Sequence, residues 1–140
     1  MTELVHRIKI FVYRLVRSEP DYLLLKPDQG LEALWGPIHA PLGFGEKLEP
    51  AARRQAREAA GLMPPGPVID LEMPERWTVG DEEIIEWTFG IQSLSNPDPA
   101  QLERHWATYR WAEFADAYPS LGFDADRAAI MRLHTLLGAA

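Results

Sequence analysis

The side chains most able to do chemistry lie in residues 43–62, where a glycine-rich loop runs into a short helix. Pro50 suits the first helical turn and Gly61 suits the left-handed position after the last turn, so a helix is predicted between them. Gln55 and Glu58 are three residues apart, and oxygen-bearing side chains at this spacing share one helix face and can converge on one ion. The helix also carries small residues that allow close packing: Ala51, Ala52, Ala56, Ala59 and Ala60.

This loop and helix resemble the Nudix box, a family motif that ends in Arg-Glu-apolar-x-Glu-Glu-x-Gly-apolar. Gly61-Leu62 matches the closing pair, Glu58 matches the first glutamate of the Glu-Glu pair, and Arg54 matches the arginine. Gly45-Glu46 matches the Gly-Glu that usually precedes the helix. Four positions depart from the motif, with Ala40 and Pro41 replacing two glycines and with Gln55 and Ala59 replacing two glutamates.

A second register fits the first half of the box better, because Gly43, Glu49, Arg57 and Glu58 also have the spacing of its Gly, Glu, Arg and Glu. In that register the helix would have to continue past Gly61 and enter a run of prolines, which a helix does not tolerate. We therefore prefer the first register.

The resemblance implies a Mg²⁺ or Mn²⁺ site that neutralises a substrate diphosphate before water approaches phosphorus. Glu58 and Gln55 take the metal-binding and catalytic positions, but the amide of Gln55 adds no charge and cannot act as a base. Ala59 offers no ligand. His105 replaces a glutamate of family members that act on dihydroneopterin triphosphate or diadenosine tetraphosphate, when residues 109–111 are aligned with their Tyr-Arg-Trp. Metal affinity and rate should therefore be low, and three residues remain open as groups that complete the site: Glu86, Glu103 and His105.

The resemblance gives other polar residues supporting roles. Glu46 and Arg54 are expected to form a structural ion pair that fixes the loop on the helix, whereas Glu49 and Arg57 would pair in the second register. Each residue expected at the substrate also has a plainer interpretation, as a solvated charge, a surface loop residue or cross-strand packing. These expected substrate-binding residues are Lys26, His39, Arg57, Trp77 and Glu86.

Length and composition limit the class of protein. A chain of 140 residues is expected to form one domain, residues 1–140, with a core large enough to be stable without disulfide bonds. With no cysteine there is neither a disulfide framework nor a thiolate metal site, which suits a reducing compartment. A net charge of −7 argues against nucleic acid as the main partner. We find no signal peptide and no apolar run of membrane-spanning length, so we expect a cytoplasmic protein without a membrane partner, and a homodimer is left open.

Apolar periodicity and turn residues predict strands alternating with three helices. The Nudix resemblance implies an α/β/α sandwich, with a mixed sheet between the box helix and a C-terminal helix. That last helix is expected to turn Ala128, Met131, Leu133, Leu136 and Leu137 toward the core. The predicted strands are residues 5–16, 22–25, 68–71, 75–79 and 82–94, with a short strand beginning at residues 34–35; residues 95–100 are expected to be loop, and the helices are residues 50–60, 113–118 and 124–137.

Two functions follow from the resemblance. One is a divalent-metal-dependent pyrophosphohydrolase that cleaves a nucleoside or pterin triphosphate, or another diphosphate-linked compound, with impaired activity. The other is a catalytically inactive protein of the same fold that binds a nucleotide-like ligand or a protein partner. The departures from the family lie at positions with a chemical role, whereas the positions that form the fold are kept, which favours impaired or lost activity. These departures are Ala40, Pro41, Gln55, Ala59 and His105.

Overall fold

A computed structural model describes residues 3–27 and 34–138. In these residues a seven-stranded mixed sheet has helices on both faces. No helix among them is long and apolar enough to cross a membrane. The strands are β1 (Glu3–Val16), β2 (Glu19–Lys26), β3 (Ile38–Pro41), β4 (Pro65–Asp70), β5 (Glu75–Val79), β6 (Glu82–Ser93) and β7 (Thr108–Glu113), and the helices are α1 (Leu48–Ala60), α2 (Pro99–His105), α3 (Phe114–Ser120) and α4 (Asp124–Leu136).

The long strand β1 lies at the centre of the sheet. It pairs in parallel with β6 and antiparallel with β2 and β3, while β7 extends the sheet beyond β2. The remaining strands β4 and β5 both pair antiparallel with β6. One parallel pairing among antiparallel ones makes the sheet mixed, as predicted.

Successive side chains of a strand point to opposite faces, so β1 contributes to two separate cores. Ile8, Ile10 and Val12 pack against the buried alanines of α1, together with Leu102 of α2. Phe11 and Tyr13 pack on the other face, against α3 and α4. The predicted α/β/α sandwich is therefore confirmed.

The helix of the glycine-rich stretch begins two residues earlier than predicted, at Leu48, and ends at Ala60 as predicted. Gly61 follows with φ of 68°, a left-handed conformation that costs little for glycine, and its N–H bonds to the last turn. Strand β2 begins at Glu19 rather than at residue 22, because the hairpin turn is tighter than predicted and uses Arg17 and Ser18, both with positive φ.

Helix α2 falls partly within residues 95–100, which the sequence predicts to be loop. Its start is capped by Asp98, whose carboxylate accepts a hydrogen bond from the N–H of Ala100 at 3.0 Å. Leu102 is buried in the core, and the amide of Gln101 donates to the carbonyl of Glu58 at 2.6 Å. A helix this short depends on such tertiary contacts rather than on propensity, so its sequence pattern is weak.

The core-facing side of α4 matches the prediction at Leu133, which is buried, and at Leu137, which packs against the core, and differs from it elsewhere. Met131 and Leu136 are exposed, as is Ala128, while the polar residues Asp126 and His134 are buried. Both polar side chains have buried partners, so hydrogen bonds act together with the buried apolar residues of the helix to set its orientation.

Candidate functional site

The loop before α1 is tied to the helix by two charged side chains. Arg54 donates from Nε to one oxygen of Glu46 at 2.7 Å and from Nη2 to the other at 2.8 Å. The backbone N–H of Gly43 donates to the same carboxylate at 3.0 Å. Glu49 instead pairs with Arg53, at 3.1 Å, so the pairing in the structure is that of the first register. The hydrogen bonds from Arg54, with that from Gly43, lower the pKa of Glu46 to about 2.

Because this pKa is lowered on folding, the Glu46 carboxylate stabilises the protein above its unfolded pKa near 4.5 and ceases to do so as the pH falls through about 2. We expect Glu46→Gln to be less stable than the wild type at neutral pH, with a difference that shrinks between about pH 4.5 and 2. Denaturant unfolding of both proteins across this range checks the prediction. A stability difference that stayed constant down to pH 2 would contradict it.

The surface of α1 does not fit the divalent-cation site that the fold implies. Glu58 is its carboxylate at the predicted position, and the Glu58 side chain is 52% exposed and accepts a hydrogen bond from Arg54 at 2.9 Å. Gln55 adds a neutral amide and Ala59 adds no oxygen ligand from its side chain. Within residues 3–27 and 34–138, no group of three histidine or acidic side chains is placed to hold a metal ion. A hard cation needs several oxygen ligands, and here an arginine competes for the carboxylate.

A cleft extends from the sheet face opposite α1 to the end of α2, where Trp106 donates from Nε1 to the carbonyl of Ala59 on α1 at 3.0 Å. It comprises two adjoining cavities, which we call the polar cavity (about 510 Å³) and the aromatic cavity (about 460 Å³). His39, Phe123 and Asp126 line both, so the cavities meet at these residues. The polar cavity is further lined by Arg7, Lys9, Glu75, Trp77, Ile84, Glu86 and Ala125, and the aromatic cavity by Leu25, Pro27, Leu34, Trp35, Gly36, Pro37 and Trp106.

The floor of the polar cavity is a cluster of buried charges. Lys9 is only 2% exposed, and its Nζ lies 2.9 Å from Asp126, 3.5 Å from Glu75 and 3.8 Å from Glu86. Asp126 and Glu86 are as deeply buried as the lysine. Buried charges are costly unless they are paired, so the three side chains depend on one another.

His39 lies beside this cluster and is fixed by it. Its Nδ1 lies 2.9 Å from a carboxylate oxygen of Glu86, and the same oxygen lies 3.8 Å from Nε of Arg7. The His39 side chain is 42% exposed, whereas that of Glu86 is 4% exposed. A buried carboxylate therefore orients an imidazole that remains accessible from the cleft.

The structure brings together part of the substrate-binding set predicted from the sequence. His39, Glu86 and Trp77 line the polar cavity. Lys26 lies outside both cavities, and its Nζ lies 4.6 Å from the centre of the Trp35 ring, a cation–π contact at the aromatic cavity. Two residues on exposed helical positions line neither cavity, namely Arg57 on α1 and His105 at the end of α2.

Sequence reasoning missed Lys9, Asp126, Phe123 and Trp106 as cleft residues. The sequence around Lys9 could have indicated its role, because Lys9 lies between Ile8 and Ile10 in an apolar strand. A lysine that is fully buried there needs an acidic partner. The partner, Asp126, is 117 positions away and carries no matching signal in the sequence.

No family model matches this sequence, and no curated protein matches it. Solved structures do. A Nudix hydrolase structure from Listeria monocytogenes superposes with a TM-score of 0.81 at 14% identity, over 95% of this chain and 94% of that one. The chain has the Nudix fold. This Nudix fold is also that of a C. elegans Ap4A hydrolase binary complex (TM-score 0.70, 16% identity, 96% and 98% coverage) and of the Nudix domain of Shewanella oneidensis NrtR complexed with ADP ribose (TM-score 0.72, 16% identity, 98% and 89% coverage).

Proposed function

We propose that this Nudix-fold protein binds a nucleotide-like, diphosphate-linked ligand in the cleft, and that its metal-dependent hydrolysis is weak or lost. The observation that carries the proposal is the contrast between a cleft lined by aromatic rings and a box helix on which Glu58, the one carboxylate left at the metal-binding positions of the motif, is paired with Arg54. Two proteins that share this fold, an Ap4A hydrolase and a domain complexed with ADP ribose, support a ligand of this chemical class.

The aromatic cavity suits a flat heterocycle. Trp35, Trp106 and Phe123 supply rings for stacking, and the polar side chains that line it are those of His39 and Asp126. An apolar pocket with a few convergent polar groups is the usual form of a small-molecule site. The carboxylate of Asp126 already accepts a hydrogen bond from Lys9 at 2.9 Å, and its other oxygen can accept one from a donor on the ligand.

Metal-dependent hydrolysis remains the second candidate, with Glu58, Gln55 and His105 in the predicted catalytic roles. The paired Glu46 and Arg54 support it, because the loop in front of α1 is held in place although the carboxylates are missing. A small-molecule partner rather than nucleic acid, Mg²⁺ or Mn²⁺ as the metal, the one-domain organisation and the cytoplasmic location remain predictions from the sequence.

The proposal is tested by measuring ligand binding and turnover on the same purified protein. We expect a thermal-shift screen of nucleoside diphosphates, nucleoside triphosphates, dinucleoside polyphosphates, ADP-ribose and dihydroneopterin triphosphate to give at least one stabilising ligand, since a ligand that binds only the folded state raises the melting temperature. The shift should persist in EDTA. Liquid chromatography of the same mixtures with Mn²⁺ should show turnover far below the usual enzymatic range of about 1–10³ s⁻¹. Rapid turnover that is lost in Glu58→Ala would support the second candidate instead.

Phe123 offers a specific test of the aromatic cavity. It lines both cavities yet is 60% exposed, so Phe123→Ala should fold normally and weaken the ligand by about tenfold or more, as loss of base–aromatic stacking does. Phe44→Ala is the matched control, because Phe44 is fully exposed on the loop before α1 and lines neither cavity. Calorimetric titration of both variants checks this. Equal affinities in the two variants would place the ligand elsewhere.

A further inference from the structure

We propose that His39 is a general base for metal-independent hydrolysis of the bound ligand, with Glu86 as its positioning residue. This inference rests on the proposed function, because it needs a diphosphate-linked ligand in the cleft. It places the reacting centre on strands β1, β3 and β6, outside the box helix.

The contact between His39 and Glu86 fixes the protonation pattern of the ring. A carboxylate oxygen accepts, so the Nδ1 atom, at 2.9 Å from Glu86, must donate its proton. In the neutral imidazole the proton is then absent from Nε2, which is left as an acceptor. The buried carboxylate also stabilises the imidazolium that forms when Nε2 takes a proton, as in other carboxylate–histidine pairs.

The position of His39 suits a reacting bond. It lines both cavities, so a ligand with its heterocycle in the aromatic cavity and its remaining half in the polar cavity passes this ring. The charged groups facing the pair are Arg7 and Lys9 from β1, Glu75 from β5 and Asp126 from α4. Arg7, whose side chain is 34% exposed, is the cation available to a phosphate there, because Lys9 is buried and paired with the carboxylates.

The step is balanced without a metal or another co-reactant. A water oxygen forms a bond to phosphorus, one proton of that water passes to Nε2 of His39, and the bridging oxygen–phosphorus bond breaks. The leaving phosphate departs with the bonding electron pair, and the imidazolium then releases its proton to solvent.

The experiment follows turnover of each stabilising ligand by liquid chromatography in excess EDTA, between about pH 5 and 9. We expect slow, chelator-resistant hydrolysis that falls as the solution is acidified. His39→Gln should reduce kcat by at least about 100-fold with little change in KM, since a positioned base contributes about 10²–10⁴-fold. His6→Gln is the matched control, because His6 lies on β1 but lines neither cavity.

Glu86→Gln separates a positioning role from a merely structural one. Glutamine keeps the size but cannot stabilise the imidazolium, so we expect a lower kcat and a displaced pH profile while ligand binding and the melting curve show that the variant folds. Ligand binding without chelator-resistant turnover, or turnover that survives His39→Gln, would overturn the role of His39 and leave the binding function standing. If no compound binds, the proposed function fails as well.

Discussion

Lys9→Met should lower the free energy of unfolding by about 3–5 kcal/mol, because breaking a buried ion pair leaves uncompensated charge. Lys9 is 2% exposed and faces two carboxylates that are buried to the same degree, Asp126 and Glu86. Methionine has a similar length, so the loss should reflect charge rather than volume. Without the ammonium group, the two carboxylates would repel each other in a poorly solvated site.

Urea unfolding of the wild type and Lys9→Met at pH 7 measures this loss. Lys47→Met is the matched control, because Lys47 is exposed and exposed substitutions usually change stability by less than about 0.5 kcal/mol. The double variant Lys9→Met/Asp126→Asn should recover part of the loss, since it removes one of the two stranded charges. A loss below about 1 kcal/mol in Lys9→Met would show that the cluster is not a buried, interdependent set.

Restoring the missing carboxylates should create metal-dependent activity. Gln55→Glu with Ala59→Glu places two carboxylates four residues apart on α1, beside Glu58, so three can converge on one cation. We expect Mn²⁺ to bind at least about tenfold more tightly. Metal-dependent turnover of the bound ligand should rise by about 100-fold or more, the lower part of the range for a positioned catalytic group.

The two substitutions need separate controls. Ala59 is 8% exposed and its carbonyl accepts a hydrogen bond from Trp106 at 3.0 Å, so the melting temperature must show that the longer side chain is accommodated. Gln55→Glu alone should give an intermediate affinity for Mn²⁺. Lys47→Glu adds negative charge at the start of the helix and should give no gain. Unchanged Mn²⁺ affinity in a folded double variant would mean that the missing carboxylates of the box helix are not the cause of weak metal binding.

Local signals in the sequence predicted much of the scaffold. Pro50 and Gly61 predicted the end of α1 correctly and its start to within two residues, because the backbone preferences of proline and glycine act locally. Gly61 and the prolines that follow it chose between the two registers, because they end the helix, and the structure shows Glu46 and Arg54, the pair of the chosen register, in contact. The structural role of that pair and the roles of Glu58, Gln55 and His105 stay predictions.

The cleft could not be predicted in the same way. Its buried charges come from β1, β6 and α4, and whether Lys9 is solvated or buried depends on a partner that only the folded chain supplies. The same dependence explains why Asp126 and His134 turn inward while Met131 and Leu136 face solvent. Apolar periodicity ranks helix faces by hydrophobicity and does not detect a buried hydrogen bond.

The most direct test of the weak metal site is calorimetric titration of Mn²⁺ into the wild-type protein. Because Glu58 is paired with Arg54 and its neighbours on the helix carry no further carboxylate, we predict a dissociation constant no tighter than about 1 mM, the weak end of the range for oxygen-ligand cation sites. A micromolar dissociation constant that is lost in Glu58→Ala would contradict this account.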